Sequence, residues 1–476
     1  MLFNSPIFLL LFLPFSLIGW YTFKTLKGRL IFLTAASSVF YGYWDVRFVL
    51  LMYFSICLDY FCGRMIYKKG GESKAKAKRW VILSIALNLT ILGFFKYFNF
   101  FVNSVYLVMH LDPVTKPALH IILPVGISFY IFESMTYSID IYRGIAKPAR
   151  SILHLSTYIS MFPRLNAGPI VRYKFIEEQL HDIKSKVNYE VLTYGLFIFT
   201  LGLFRKIYIA DHFAQWSDLF FNAQTPRQFF VSWGGTLCYT FQIYFDFSGY
   251  CEMAYGLGLM LGFEFPKNFN SPYKASSFSD FWRRWNIALS EFLRDYLYIP
   301  LGGNRTNAFG TYKNLFITML LGGLWHGASW MFVIWGGLHG AYLALERFLK
   351  KKFILESAIY RVVVFICVCL AWIFFRSRDL HFAIHTFKSC LMLNGFESFE
   401  PVYKTFHLNI PFFAHYMGGM KNIIALIGAI IFVNIAPNVF QLKFKPTALY
   451  AIITALIFFI CLLNIEVPSP FIYFQF

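Results

Sequence analysis

Charge is scarce in this sequence. Asp, Glu, Lys and Arg make up only 14% of 476 residues, against about 25% in an ordinary soluble domain. Acid is scarcer than base: 24 acidic residues stand against 43 basic ones, net +19. So few charges cannot coat a soluble fold when 58% of the residues are apolar, and that much apolar surface excludes intrinsic disorder. Cysteine is sparse too. Eight in the whole chain exclude a secreted disulfide scaffold. Familiar chemical motifs are missing. There is no P-loop, and Gly256-x-Gly258 is too short for a dinucleotide fingerprint. There is no His-Glu-x-x-His, no Cys-x-x-Cys and no Gly-x-Ser-x-Gly. Cys367 and Cys369 lie in an apolar run, where free cysteine behaves as a small hydrophobe. No metal or bound cofactor is expected.

What is present is apolar sequence in long runs. Length alone suggests about three soluble domains, but composition overrules it and makes the chain a multi-span membrane protein. Runs of crossing length, ~17–25 residues, lie near 7–23, 30–44, 47–63, 80–104, 119–142, 189–210, 228–250, 314–328, 330–346, 359–375, 420–437 and 446–464. That is about twelve crossings by the length rule. The first run lacks the basic flank and small-residue cleavage site of a signal peptide and is expected to be retained.

The basic residues set orientation. Residues 64–79 carry net +6, with only Glu72 acidic, and short basic loops stay in the cytoplasm. Lys24, Lys27 and Arg29 fall on the same side, as do Arg143, Lys147, Arg150, Arg347, Lys350, Lys351 and Lys352. The loop 105–118, with Asp112 and Lys116, faces outward, so both termini are expected outside the cytoplasm. Anionic-lipid contact is compatible with this charge; nucleic-acid binding is not needed to explain it. Residues 151–188 and 264–312 are too polar to span. Such segments survive at membrane depth only where protein buries them or water reaches them, so they are expected to line a cavity.

The region 277–299 carries an apolar stripe through Phe278, Phe281, Trp282, Trp285, Leu289, Phe292, Leu293 and Tyr296. Ser277-Phe278-Ser279-Asp280 marks a helix start. An amphipathic helix is expected, with Arg283, Arg284, Glu291, Arg294 and Asp295 off the stripe and Asn286 at its edge. It reads equally as an interfacial anchor or as part of a site. Residues 314–345 contain no Asp, Glu, Lys or Arg and are too long for one untilted crossing. A break is expected near Gly322-Gly323 or Gly327, beside Trp325-His326-Gly327. An intramembrane histidine is a candidate functional group; a structural bond between helices is the other reading. His339, thirteen residues on, does not share a straight helical face with His326. Asp140, Asp211, Asp246 and Glu252 are further ionisable groups near apolar runs, each first read as structural.

At this point a family resemblance becomes visible. Pro124-Val125-Gly126-Ile127-Ser128-Phe129-Tyr130, Ser138-Ile139-Asp140-Ile141-Tyr142-Arg143-Gly144 and Tyr244-Phe245-Asp246-Phe247-Ser248-Gly249-Tyr250 resemble the membrane-bound O-acyltransferase family. So do Phe281-Trp282-Arg283-Arg284-Trp285, the run from Leu293 through Pro300-Leu301-Gly302-Gly303 to Arg305, and Gly323-Leu324-Trp325-His326-Gly327-Ala328. The nearest branch is that of bacterial alginate O-acetyltransferases. The likeness runs from the first residues to about 350, and the rest is similar in hydropathy. It implies an all-α polytopic fold, with about twelve transmembrane helices and re-entrant or interfacial helices in a ring around a central funnel. It implies a single membrane-embedded domain over 1–476, with core motifs at 119–350 and a helical C-terminal part at 351–476. The implied location is the bacterial cytoplasmic (inner) membrane.

The resemblance implies acetyl transfer from a cytoplasmic thioester, acetyl-CoA, to an extracytoplasmic polysaccharide through an SGNH-type partner protein. His326 maps to the family's Trp-His-Gly histidine. Asn286 stands where the alginate branch has His and many eukaryotic relatives have Asn. Asp211, in Arg205-Lys206-Ile207-Tyr208-Ile209-Ala210-Asp211, matches a position important in the alginate enzyme. Trp325, His339 and Asp246 are supporting candidates. Arg283, Arg284 and Arg294 are candidates for donor binding, since arginine forks match phosphate geometry. Rival readings are D-alanyl transfer to a teichoic-acid-like polymer, a transporter or flippase without chemistry, and a structural subunit of an export complex.

Overall fold

The computed structural model describes residues 1–112, 119, 121–181, 188–223, 228–350, 358–396, 420–465 and 469–474, with residues 350 and 420–423 described by backbone alone. Lys116, Lys351 and Lys352 and the Lys350 side chain, used above for orientation, lie outside this description. Among the described residues the secondary structure is helical, without a strand. Among the described residues four helical runs are long and apolar enough to cross a membrane: Val46–Gly70, Lys74–Val108, Tyr189–Phe221 and Ala358–Arg376. Phe8–Thr22, Ile424–Ile435 and Ala448–Leu463 are apolar but shorter. The other expected runs contain helices that miss these limits. The run 119–142 is helical only over Ile127–Tyr142. Ala308–His326 and Trp330–Lys350 carry glycine and tryptophan where a lipid-facing span carries leucine.

The chain divides into two compact units. One comprises residues 1–203, 250–267 and 444–475. Its helices begin at side-chain caps: Thr25 accepts from the Gly28 N–H, Asp45 from Arg47 and Ser73 from Ala75. Arg29 is not a loop cation. It is buried, donates to the Phe23 carbonyl at 2.8 Å and lies over Trp20. Val46–Gly70, Lys74–Leu92 and Ile127–Tyr142 meet around Asp59. Its carboxylate accepts from Ser84 at 2.6 Å and from Asn88 at 3.0 Å; Ser84 also bonds Ser138. Buried polar groups are tolerated among apolar helices only when satisfied in this way. Residues 161–171 are held similarly. Glu133 pairs with buried Arg164 and accepts the Val171 N–H at 3.1 Å. The expectation of non-spanning segments holds locally: residues 151–181 form the short helices Ile152–Ser160, Phe162–Leu165 and Tyr173–His181.

The second unit comprises residues 204–249 and 268–443. The helix Phe229–Met260 is continuous and supplies its residues up to 249 here. Ala308–His326 and Trp330–Lys350 form a tight hairpin broken at Gly327, one of the two places the sequence offers; Gly322-Gly323, the other, lies within the first helix. Glycine makes that approach possible. A Cβ on Gly336 would stand 2.3 Å from the Met319 carbonyl oxygen, and one on Gly323 2.2 Å from that of Phe332. The amphipathic segment 277–299 differs from expectation. It is not one helix but Phe278–Trp282, a turn, Ile287–Leu293 and the π-helical turn Arg294–Tyr298. The break lets Trp282 pack on Trp335 (5.8 Å between ring centroids) and Trp285 on Trp372 (5.0 Å). The start at Ser277 holds: its hydroxyl accepts the Asp280 N–H at 3.0 Å. Glu346, 2% exposed, accepts the Phe278 N–H and the Ser279 hydroxyl and so ties this start to the hairpin.

Candidate active site

Every candidate site residue falls in the second unit. His326 is the last residue of its helix and Gly327 continues in an extended conformation. The chain turns back through Ser329, whose hydroxyl accepts the Met331 N–H. His326 is 3% exposed. Its ring centroid lies 5.0 Å from those of Trp325 and Trp335 and 5.3 Å from that of Phe375. Trp335 also lies 4.7 Å from His339. The two histidines occupy different helices, and one indole touches both. His339 is fully buried beside Phe281, Trp282 and Tyr342. Among the described residues its ring nitrogens have no hydrogen-bond partner.

Asn286 sits in the turn of the broken helix with φ 41° and ψ 57°. This left-handed conformation suits asparagine better than most L residues. Its position is that of a helix cap, yet its side chain does not cap. Asn268 does that work: its carbonyl accepts the Ile287 N–H at 3.0 Å and its side-chain oxygen accepts Ala288 at 3.1 Å. The Asn286 carboxamide is therefore released from local duty. It is 3% exposed, and its Nδ2 has no hydrogen-bond partner among the described residues. Leu293 of the following helix packs against Gly322, four residues before His326.

Asp211 and Asp246 are brought together by a residue that sequence reading passed over. Lys206 Nζ lies 2.7 Å from Asp211 and 2.6 Å from Asp246. The cause is a π-helical stretch, Arg205–Ala210, in which the Asp211 N–H bonds the Lys206 carbonyl. A five-residue offset then shares a face, which the α-helical offsets of three and four do not reveal. Asp246 comes from the helix Phe229–Met260, a contact that no local spacing encodes. Trp335 and Glu346 were likewise not singled out.

The arginines separate. Arg283 is exposed and has no side-chain partner among the described residues. Arg284 pairs with Asp280 at 2.9 Å, and Arg294 with Asp295 at 2.6 Å. Burial raises the Asp280 pKa, but the Ser276 N–H and the Arg284 guanidinium outweigh it and hold the carboxyl below its ordinary value. Among the described residues no three His, Cys, Asp or Glu side chains gather into a metal-binding group.

An imidazole, a buried carboxamide with a spare donor and apolar walls are the parts an acyl transfer uses. Comparison with known proteins agrees. Residues 148–375 match the membrane-bound O-acyltransferase family. The chain is 42% identical to the probable alginate O-acetylase AlgI of Pseudomonas putida over 408 residues, 84% of this chain and 82% of that protein. It is 39% identical to the peptidoglycan O-acetyltransferase of Helicobacter pylori over 429 residues, 83% of this chain and 80% of that one. A more distant match is the teichoic acid D-alanyltransferase of Bacillus subtilis, 26% identical over 56% of this chain and 71% of that one. The chain belongs to the membrane-bound O-acyltransferase family, in its alginate O-acetylase-like branch, and is an acyltransferase.

Proposed function

We propose that the chain O-acetylates an extracytoplasmic polysaccharide, alginate-like or peptidoglycan, from the bacterial inner membrane. The observation that carries the acceptor class is the extent of the likeness: relatives named for alginate and for peptidoglycan each align over four fifths of this chain. In this reading the chain crosses about twelve times by the length rule, with both termini outside. Acetyl-CoA in the cytoplasm is the donor. An SGNH-type protein outside receives the acetyl group and passes it to the polymer.

His326 is the general base. Neutral imidazole takes the proton of an incoming hydroxyl. The oxygen attacks the thioester carbonyl, and the negative charge moves to the carbonyl oxygen. Asn286 Nδ2, buried and with a spare donor, stabilises that oxyanion, a contribution of about 3 kcal/mol in comparable sites. The C–S bond then breaks, and the His326 proton goes to the departing thiolate. Asp211, Asp246, Trp325 and His339 position these groups. Arg283, with Arg284 and Arg294, meets the donor phosphates. The aromatic walls keep water from the thioester.

The test is mass and linkage analysis of surface glycans from cells with and without the chain. Loss of O-acetyl groups from one polymer supports the reading; unchanged acetylation overturns it. The likeness to a D-alanyltransferase favours one second reading, D-alanyl transfer. A reconstituted assay offered both donors decides between them.

A further inference from the structure

A groove of about 560 Å³ lies in the first unit, and none of the candidate site residues lines it. Its walls include Leu196, Thr200, Phe444, Tyr450, Ala451 and Thr454. The lining is carbon almost throughout. The Thr193 hydroxyl is turned back on the Tyr189 carbonyl and that of Thr454 on the Tyr450 carbonyl. The Thr200 oxygen is itself covered. The volume lies within the ~300–1,000 Å³ of small-molecule sites.

Ring contacts order the two helices that form it. Tyr194 meets Phe444 at 5.4 Å, and Phe197 meets Tyr450 at 5.7 Å. Phe197 also meets Phe444, at 5.1 Å, so the early turns of Tyr189–Phe204 face the segment that leads into Ala448–Leu463, and the starts of both helices lie at one end of the groove. Two opposite charges stand there. Glu190 is in the first turn of Tyr189–Phe204, one turn before Thr193. Lys445 lies between the lining residues Phe444 and Pro446, just before Ala448–Leu463. Both are exposed, and neither has an ion-pair partner among the described residues.

We propose that this groove holds a zwitterionic glycerophospholipid, phosphatidylethanolamine, with an acyl chain along the apolar wall, its phosphate at Lys445 and its primary ammonium at Glu190. In a bilayer an apolar wall alone selects nothing, because lipid tails are as apolar as the protein. Selection therefore falls on the two charges at the rim. The N-terminal end of Ala448–Leu463 adds partial positive charge on the phosphate side. A lipid with an anionic headgroup and no ammonium puts its charge against Glu190 without compensation.

The full chain is reconstituted in nanodiscs of equal phosphatidylethanolamine and phosphatidylglycerol, and native mass spectrometry counts the lipid retained on release. Expected is phosphatidylethanolamine retained several-fold over phosphatidylglycerol. Glu190→Gln should level the two, Lys445→Gln should lower both, and Ala451→Trp should abolish retention by filling the groove. Equal or greater retention of phosphatidylglycerol by the unaltered chain overturns the proposal. So does undiminished phosphatidylethanolamine on Lys445→Gln. Should Ala451→Trp fail to fold, the two exposed rim substitutions carry the test alone. Acetyl transfer is not measured, so failure here leaves the proposed function standing.

Discussion

The His326 imidazole and the Trp335 indole meet edge to face, with ring centroids 5.0 Å apart and planes at 88°. The same indole lies 4.7 Å from His339. Only one of these histidines stands at a helix end beside a break in the chain. His326→Ala should therefore lower acetylation by about 10²–10⁴-fold, the range of a lost general base, with unchanged protein in the membrane fraction. His339 has no hydrogen-bond partner among the described residues to lose. His339→Phe should keep the melting temperature in detergent and cost less than about tenfold in turnover, the smaller end of a positioning effect. Full acetylation by His326→Ala removes it as the base.

Asn286 combines two burdens, and substitutions separate them. Alanine removes the spare donor and keeps a Cβ at φ 41°. Glycine removes the donor and relieves the backbone, by about 1 kcal/mol. Asn286→Ala should lower turnover by about 10²–10³-fold, as loss of an oxyanion donor does, and should also lower the melting temperature. Asn286→Gly should restore the melting temperature without restoring turnover. Recovery of turnover by glycine would make the residue structural. Asn286→His, which keeps a polar side chain at this position, should retain activity.

Much of this site is legible in the residues. The hairpin break at Gly327 follows from a run too long and too uncharged for one crossing, and the cap at Ser277 from local spacing. The break at Asn286 is not legible, because the apolar stripe through Trp282, Trp285 and Leu289 fits a straight helix equally well. Tertiary packing of Trp282 on Trp335 and Trp285 on Trp372 overrides it. The Lys206 bridge is hidden for a different reason: one partner needs a π-helical offset and the other comes from a distant helix. The expected spans are blurred for a third. Ile127–Tyr142 is buried along nearly its whole length and needs no lipid-facing run of leucine.

The arginines should differ in how they fail. Arg283 has no side-chain partner among the described residues to lose, so Arg283→Gln should leave stability unchanged and raise KM for the thioester donor several-fold. Arg284→Gln breaks the contact with Asp280, a partly exposed pair worth about 0–1 kcal/mol. The low pKa of Asp280 gives that pair a direction in pH. Its stabilisation is present above the carboxyl's unfolded value and fades as pH falls through the folded one. Melting curves of the unaltered chain and Arg284→Gln should therefore converge at low pH. A constant gap across pH would mean that the pair does not act through that carboxyl.

The helix hairpin that carries His326 should depend on one missing methyl group. Gly336→Ala places a Cβ 2.3 Å from the Met319 carbonyl oxygen, a backbone atom that cannot swing aside. The helices must separate, and His326 moves with them. Activity should be lost and the melting temperature lowered. Gly428 has nothing within 4 Å of the same position among the described residues, so Gly428→Ala should be silent in both measurements. Equal effects of the two substitutions would show that helix propensity, not close approach, governs the response.

Lys206 bridges two carboxylates, and removing it takes the shared cation from both. The Lys206 and Asp246 side chains are 6% and 3% exposed; that of Asp211 is 25% exposed. Breaking a buried pair from one side costs about 3–5 kcal/mol, because the remaining charge stays desolvated. Lys206→Met should therefore lower the melting temperature sharply. Asp246→Asn should be nearly as severe, since Lys206 loses its more deeply buried carboxylate. Asp211→Asn should be milder. The double substitution Lys206→Met with Asp246→Asn removes the cation and the deeper anion together. It should be less destabilising than the two single effects added, as residues in one network are coupled. Additive losses in the melting temperatures would mean that the lysine and Asp246 do not act as a pair.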